Sequence, residues 1–222
     1  MIDVLIIAPE ITKGMKSIGS KALLSLKGSL TILEYQIQQI KNSIPSSKIT
    51  IATGFDADKI KKDIPLKYKL NFLHNDRYKT TNQTECINLY LEKENCQNLL
   101  IIPNGIIFKN IDFNLVNDSM SRIFMIDKPK NNFTIGSSDS IYAEYLFYDL
   151  PIVWSECVFF DYEAILEIKK ILKLEKIEQL YVFELINKLI DKKVIFEKHF
   201  FSKKNIMKIN NNKDIIKAKQ FI

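Results

Sequence analysis

At 222 residues the chain is long enough to bury one α/β core without disulfide or metal staples. Hydrophobic residues make up 46% and charged residues 26%, the composition of an ordinary globular protein rather than a disordered or membrane-spanning one. The net charge of +6 is almost wholly lysine, with Arg77 and Arg122 the only arginines. It lacks the clustered Arg and Lys with interleaved aromatics of a nucleic-acid surface, and leaves a mild preference for anionic ligands.

The three cysteines, Cys86, Cys96 and Cys157, form no CxxC pair and read as reduced thiols. No apolar run approaches the ~20 residues that span a bilayer, and no leader-type segment precedes the first apolar run. The expectation is a cytoplasmic chain with no membrane or nucleic-acid partner. The oligomeric state is left open.

In chain order, the run Val4-Leu5-Ile6-Ile7-Ala8 predicts a buried parallel strand. A polar loop over 9–20 carries Gly14, Gly19, Lys13 and Lys16, with Lys21 next, followed by a short apolar run at 23–26. A first strand delivering a basic loop beyond its carboxyl end is where α/β proteins hold phosphates. Leu30, Leu33, Ile37 and Ile40 predict a helix over 30–42, and 48–53 alternates as a strand. Asp56 is a plausible cap for a short helix over 56–62. A strand is predicted at 70–74, a helix at 83–93 with Cys86, Leu89 and Tyr90 inward, and strands at 99–102 and 106–108 around Asn104-Gly105.

The later chain predicts a strand at 122–127, a polar loop at 128–140 and strands at 142–148 and 153–160. Helices at 162–172 and 177–191, strands at 194–200 and 206–209, and a helix from 213 complete it. The leading β-α-β-α-β-α-β order argues for a single α/β domain over 1–222, with a mostly parallel twisted sheet and helices on both faces.

Gly14 to Gly19 has the glycine spacing of a P-loop, but Ser20-Lys21-Ala22 puts the lysine one residue late and lacks the following hydroxyl. A broader match spans most of the chain. The opening strand, Ser20-Lys21-Ala22-Leu23-Leu24-Ser25-Leu26, and Leu33-Glu34-Tyr35-Gln36-Ile37 resemble the start of the sugar-phosphate nucleotidyltransferases of GT-A type. Thr53-Gly54-Phe55 with Lys59-Ile60 is similar to that family's second-strand signature. Asn75-Asp76-Arg77-Tyr78 with Thr81-Asn82-Gln83 resembles the nucleotide-contacting segment of its phosphocholine cytidylyltransferase-like branch. Lys208-Ile209-Asn210-Asn211 with Asp214-Ile215 and Ala218 resembles its closing strand and helix.

The resemblance implies a GT-A-like fold, a nucleoside triphosphate and a small phosphorylated acceptor (sugar phosphate or phosphocholine) as partners, and Mg²⁺-assisted attack on the α-phosphate. It implies nucleotide contacts from Ala8, Pro9, Lys13, Lys16, Lys21, Asn82 and Gln83. Lys21, Asn104 and Asn210 are the implied catalytic positions, the two asparagines standing where the family holds its metal with aspartates; Gly105 or Ile106 replaces Asn104 if the register slips. Amides bring no negative charge to a hard cation. Glu10 and Thr12 replace loop glycines, and Pro9 removes a backbone donor. The alternative reading is therefore a catalytically inactive binding or assembly module without a metal. Asn82 and Gln83 read equally as a helix start, and Asn104-Gly105 as a strand-end turn. The stretch Trp154-Ser155-Glu156-Cys157 reads either as an acceptor-pocket wall or as a core-and-rim strand, and Asp127 or Glu156 is a candidate to restore a carboxylate.

Overall fold

The computed structural model describes residues 1–10, 19–64, 66–113, 120–126, 134–174 and 178–222. Lys13, Lys16 and Asp127 lie outside them. The chain begins with β1 (Asp3–Ala8), a 3-10 turn at Lys21–Leu23, the short strands β2 (Ser25–Lys27) and β3 (Leu30–Thr31), and α1 (Ile32–Ser43). Next come β4 (Lys48–Thr53), α2 (Ala57–Asp63), β5 (Asn71–His74), α3 (Gln83–Lys93), β6 (Leu99–Pro103) and β7 (Ile106–Phe108). The remainder is β8 (Ser121–Ile126), β9 (Ile135–Ser137), β10 (Phe147–Tyr148), β11 (Ile152–Phe160), α4 (Tyr162–Leu174), α5 (Val182–Asp191), β12 (Phe196–Phe201), β13 (Ile206–Lys208) and α6 (Asn212–Phe221).

β1 is central because Val4 to Ala8 are all buried, leaving only its backbone to satisfy, which parallel neighbours on both sides do. The main sheet runs β10-β9-β11-β6-β1-β4-β5, with β8 and then β12 joined to β11. Parallel pairing links β5, β4, β1 and β6, and also β12 with β8; β11 is antiparallel to β6, β8 and β9, and β10 to β9. All strands of this sheet except β10 and β11 therefore point the same way. It is a single-domain α/β fold with a mostly parallel mixed sheet.

The alternating sides of β1 feed two cores. Leu5 and Ile7 pack with Cys86, Ile87 and Tyr90 of α3 and with the apolar faces of α4 and α5. Val4, Ile6 and Ala8 pack with Leu33, Ile37 and Ile40 of α1 and Ile60 of α2. A third cluster seats Ala218 of α6 and Ile209 against Leu26, Ile32 and Tyr35, so the carboxyl-terminal helix closes over the start of α1. No described helix is long and apolar enough to cross a membrane.

Several boundaries differ from the sequence expectations for nonlocal reasons. Leu30 and Thr31 pair with β2 before α1 starts, and Thr31 Oγ1 accepts the Glu34 N–H at 3.2 Å as the helix cap. Asp56 stands at the N-cap position of α2 as expected, but its side chain makes no cap hydrogen bond. It adopts a left-handed backbone (φ 57°), and its carboxylate accepts the Ser20 N–H at 2.9 Å, anchoring the return of the first loop. The segment expected as a strand at 142–148 is strand only at β10, and 135–137, expected as loop, forms β9 against β11.

Candidate functional site

The carboxyl ends of β1 and β6 open onto a cleft of about 340 Å³ lined by Ile7, Ala8, Glu10, Lys21, Gln83, Pro103, Asn104, Glu156, Lys208 and Asn210. Each polar side chain arrives there for a local reason. Lys21 opens the 3-10 turn, which Ser20 caps by accepting the Ala22 N–H at 3.3 Å while Ala22 is wholly buried. That plants the Lys21 backbone in the core and sends its side chain across the cleft floor, where Nζ donates to the Ile209 carbonyl at 3.2 Å. Burial pushes the Lys21 ammonium below the usual lysine range, Lys208 lowers it further, and Glu10 and Glu156 act against that shift.

Asn104-Gly105 makes the tight turn between β6 and β7, Gly105 taking φ +90°. The turn is tied to β1 by the Asn104 N–H donating to the Ile7 carbonyl at 2.9 Å. Buried Gln36 fixes it from below, its amide donating to the carbonyls of Pro103 (2.9 Å) and Ile106 (2.7 Å). The Asn104 side-chain oxygen is buried and finds no donor among the described residues. Asn210 follows β13, and its N–H donates to Asp214 Oδ2 at 3.0 Å at the start of α6.

Glu156 reaches the cleft through a bulge in β11, where pairing with β8 slips between Trp154 and Val158 and Glu156 itself takes φ 68°. The bulge is locked by the Trp154 indole N–H donating to the Cys157 carbonyl at 2.8 Å. Glu156 forms an ion pair with Lys208 of β13, both side chains about one-fifth exposed.

A second compartment of about 220 Å³ shares Glu10, Gln83, Glu156 and Lys208 with the first. Its other walls are Ile135, Tyr148, Trp154, Tyr181, Val182 and Phe183. Phe183 meets Tyr148 edge-on at 5.8 Å and stacks on Tyr181 at 6.0 Å. Glu184 fixes Tyr181 at the start of α5 by accepting its N–H at 2.7 Å. The first compartment is the more basic end, since Lys21 lines it and not the second, and the second is the aromatic end.

Of the residues singled out in sequence, Ala8, Lys21, Gln83, Asn104 and Asn210 meet in this cleft. Pro9 is buried, with its carbonyl accepting the Phe55 N–H at 3.0 Å, so it shapes the turn. Asn82 directs its amide N–H to the Gln179 carbonyl and its backbone N–H to Glu178 O (2.7 Å), tying α3 to the segment before α5. Lys13 and Lys16 lie outside the described residues. Sequence reasoning quoted Lys208 only within the closing-strand resemblance, and gave no site role to it or to Tyr148, Tyr181 or Phe183. Lys208 was accessible to it, because residues i and i+2 of an extended segment share a face and Lys208 stands two before Asn210.

The donor set of the cleft is poor in the charge that a divalent cation needs. Asn104 and Asn210 supply only uncharged amides, Glu156 is ion-paired with Lys208, and Glu10 is an exposed single carboxylate. Among the described residues no group of three His, Cys, Asp or Glu is placed to hold a metal. This arrangement does not fit a hard cation that depends on ligand charge.

No protein-family model matches the sequence, and no curated protein matches it. Solved structures match along nearly its whole length. CTP:phosphocholine cytidylyltransferase (LicC) of Streptococcus pneumoniae superposes with a TM-score of 0.76 at 20% identity, covering 99% of this chain and 98% of that one. A putative glucose-1-phosphate thymidylyltransferase of Bacillus anthracis gives 0.78 at 12% identity, over 99% and 94%. The inositol-1-phosphate CTP transferase of T. maritima gives 0.75 at 10% identity, over 99% and 95%. The fold is that of the sugar-phosphate nucleotidyltransferases.

Proposed function

We propose that this cleft binds a nucleoside triphosphate and a small phosphorylated alcohol with a cationic head group, the substrate pair for nucleotidyl transfer. The observation that carries the reading is the continuity of the two compartments through Glu10, Gln83, Glu156 and Lys208. Lys21 and Lys208 line the basic end, where an anionic phosphate chain gains charge-assisted hydrogen bonds. Tyr148, Trp154, Tyr181 and Phe183 line the other, together with Glu10 and the Glu156–Lys208 pair, and ring faces beside the Glu10 carboxylate suit an alkylammonium better than sugar hydroxyls. Among structures of the same fold, LicC is described as acting on phosphocholine and CTP. In this reading an acceptor phosphate oxygen attacks the α-phosphorus and pyrophosphate leaves. A cytoplasmic location belongs to the same reading, and the three buried free cysteines are consistent with it.

A second reading, a binding module that has given up transfer, is favoured by the amides of Asn104 and Asn210 at the cleft floor. One experiment separates the two. Calorimetric titration with a panel of nucleoside triphosphates, followed by a pyrophosphate-release assay with phosphocholine, gives binding and release for the transferase and binding alone for the module. Failure of every triphosphate to bind overturns both.

A further inference from the structure

Lys208 differs from Lys21, the other lysine of the cleft, in its position. It lines both compartments, so it stands at the junction where a nucleotide phosphate and an acceptor phosphate would meet. Its ammonium is held in place by Glu156, which reaches the cleft only because β11 bulges and the glutamate adopts a left-handed backbone. A non-glycine residue in that conformation persists only where surrounding contacts impose it. Here the Trp154 indole and the Lys208 ion pair do so.

The charge balance gives the arrangement a meaning. Two carboxylates holding one divalent ion sum to zero, and so do two amides holding none. Asn104 and Asn210 therefore leave the cleft with the same net charge it would have with two aspartates and a bound cation. What the exchange removes is a positive centre for phosphate oxygens to approach. An ammonium carries three donors, enough to serve both a carboxylate and a phosphate oxygen.

We propose that Lys208, positioned by Glu156, is a built-in cation at the junction of the two compartments, and that phosphate binding in this cleft is independent of a divalent metal. The proposal rests on the nucleotide-binding reading and deepens it.

The test is calorimetry on the full chain, with inorganic tripolyphosphate and the nucleoside triphosphates as probes, in EDTA and in excess Mg²⁺. Native affinity is expected to agree within about threefold between the two conditions. Lys208→Met is expected to weaken binding by about tenfold or more in both, the worth of a charge-assisted hydrogen bond. Lys208→Arg, which keeps the charge, recovers most of that loss. Glu156→Gln, which frees the ammonium from its anchor without removing it, falls between native and Lys208→Met. Native binding that appears only with Mg²⁺, or rises tenfold with it, overturns the assignment while leaving the nucleotide reading intact. So does a folded Lys208→Met variant that binds as tightly as native. Absence of binding in both conditions overturns the nucleotide reading, and the Lys208 assignment with it.

Discussion

The side chain of Lys21 lies directly over Gly105. A Cβ on Gly105 would stand 2.5 Å from Lys21 Cδ and 2.8 Å from its Nζ, inside the distance at which real carbon atoms pack. Gly105 is thus glycine for two reasons at once, a φ of +90° and the passage of a lysine stem. The turn after β6 and the turn after β1 are shaped to each other, although about eighty residues of chain separate them.

Gly105→Ala should therefore injure both fold and site. The backbone strain alone is expected to lower stability by about 1–3 kcal/mol. Because the new methyl group displaces the Lys21 stem, tripolyphosphate affinity should fall as well. Equilibrium denaturation and calorimetry on the same preparation check the two effects. A variant of native affinity would show that Lys21 does not reach ligand along this path.

Lys21 is expected to set an alkaline limit on the proposed phosphate binding. Burial, its largest influence, lowers its pKa from 10.5, so in the folded chain its charge disappears at a lower pH than that of an exposed lysine. Between the lowered value and 10.5 the unfolded chain holds the extra proton, so this residue by itself makes stability rise with pH across that window. Anion affinity goes the other way, falling as the pH passes the lowered value. Lys21→Arg, whose guanidinium stays charged, should move the fall to higher pH. Superimposable pH profiles for native and Lys21→Arg would refute Lys21 as the titrating group.

At the aromatic end, Tyr148 and Tyr181 are half exposed and flank Phe183. Replacing either by alanine removes one ring face from a bound alkylammonium, an expected loss of about five- to tenfold in phosphocholine affinity. The loss should be smaller for phosphoethanolamine, whose head group is more strongly hydrated. Equal losses for both ligands, or for a sugar phosphate, would argue against recognition of the cation by the rings.

How much of this was readable in the sequence depends on how local the cause is. The strand at 48–53 and the helix at 83–93 fall where alternation and helical spacing place them, because their own residues decide them. Strand β9 was hidden in a polar stretch because its three residues are held by pairing with β11, which no local pattern records. Trp154 and Glu156 were legible as a pair with two readings; the bulge that brings both to the aromatic compartment arises from a register slip against β8. Asn104 and Asn210 were found only through the family resemblance, and Lys208, at the end of β13 just before Asn210, was given no site role because one lysine among so many carries little local information.

The three cysteines give a last test, of the core rather than the cleft. All are buried; desolvation raises Cys86 and Cys157 from 9.0 to about 12, and Cys96 to about 11. Thiolates are the reactive form, so none should react with a thiol reagent in the native protein at neutral pH, while all three should react in denaturant. Because the folded values lie above the unfolded one, the folded state keeps protons that the unfolded chain releases. Their contribution to stability is therefore fully present below pH 9.0 and is lost as the pH climbs through 11 to 12. Tyr90, buried on the α3 face that packs with β1 and raised for the same reason, adds to the same trend. Denaturation midpoints should decline on the alkaline side, and replacing Cys86 by alanine should flatten the decline while leaving a small cavity beside Ile87. Rapid labelling of the native protein at neutral pH would mean that the core around α3 opens far more readily than its packing implies.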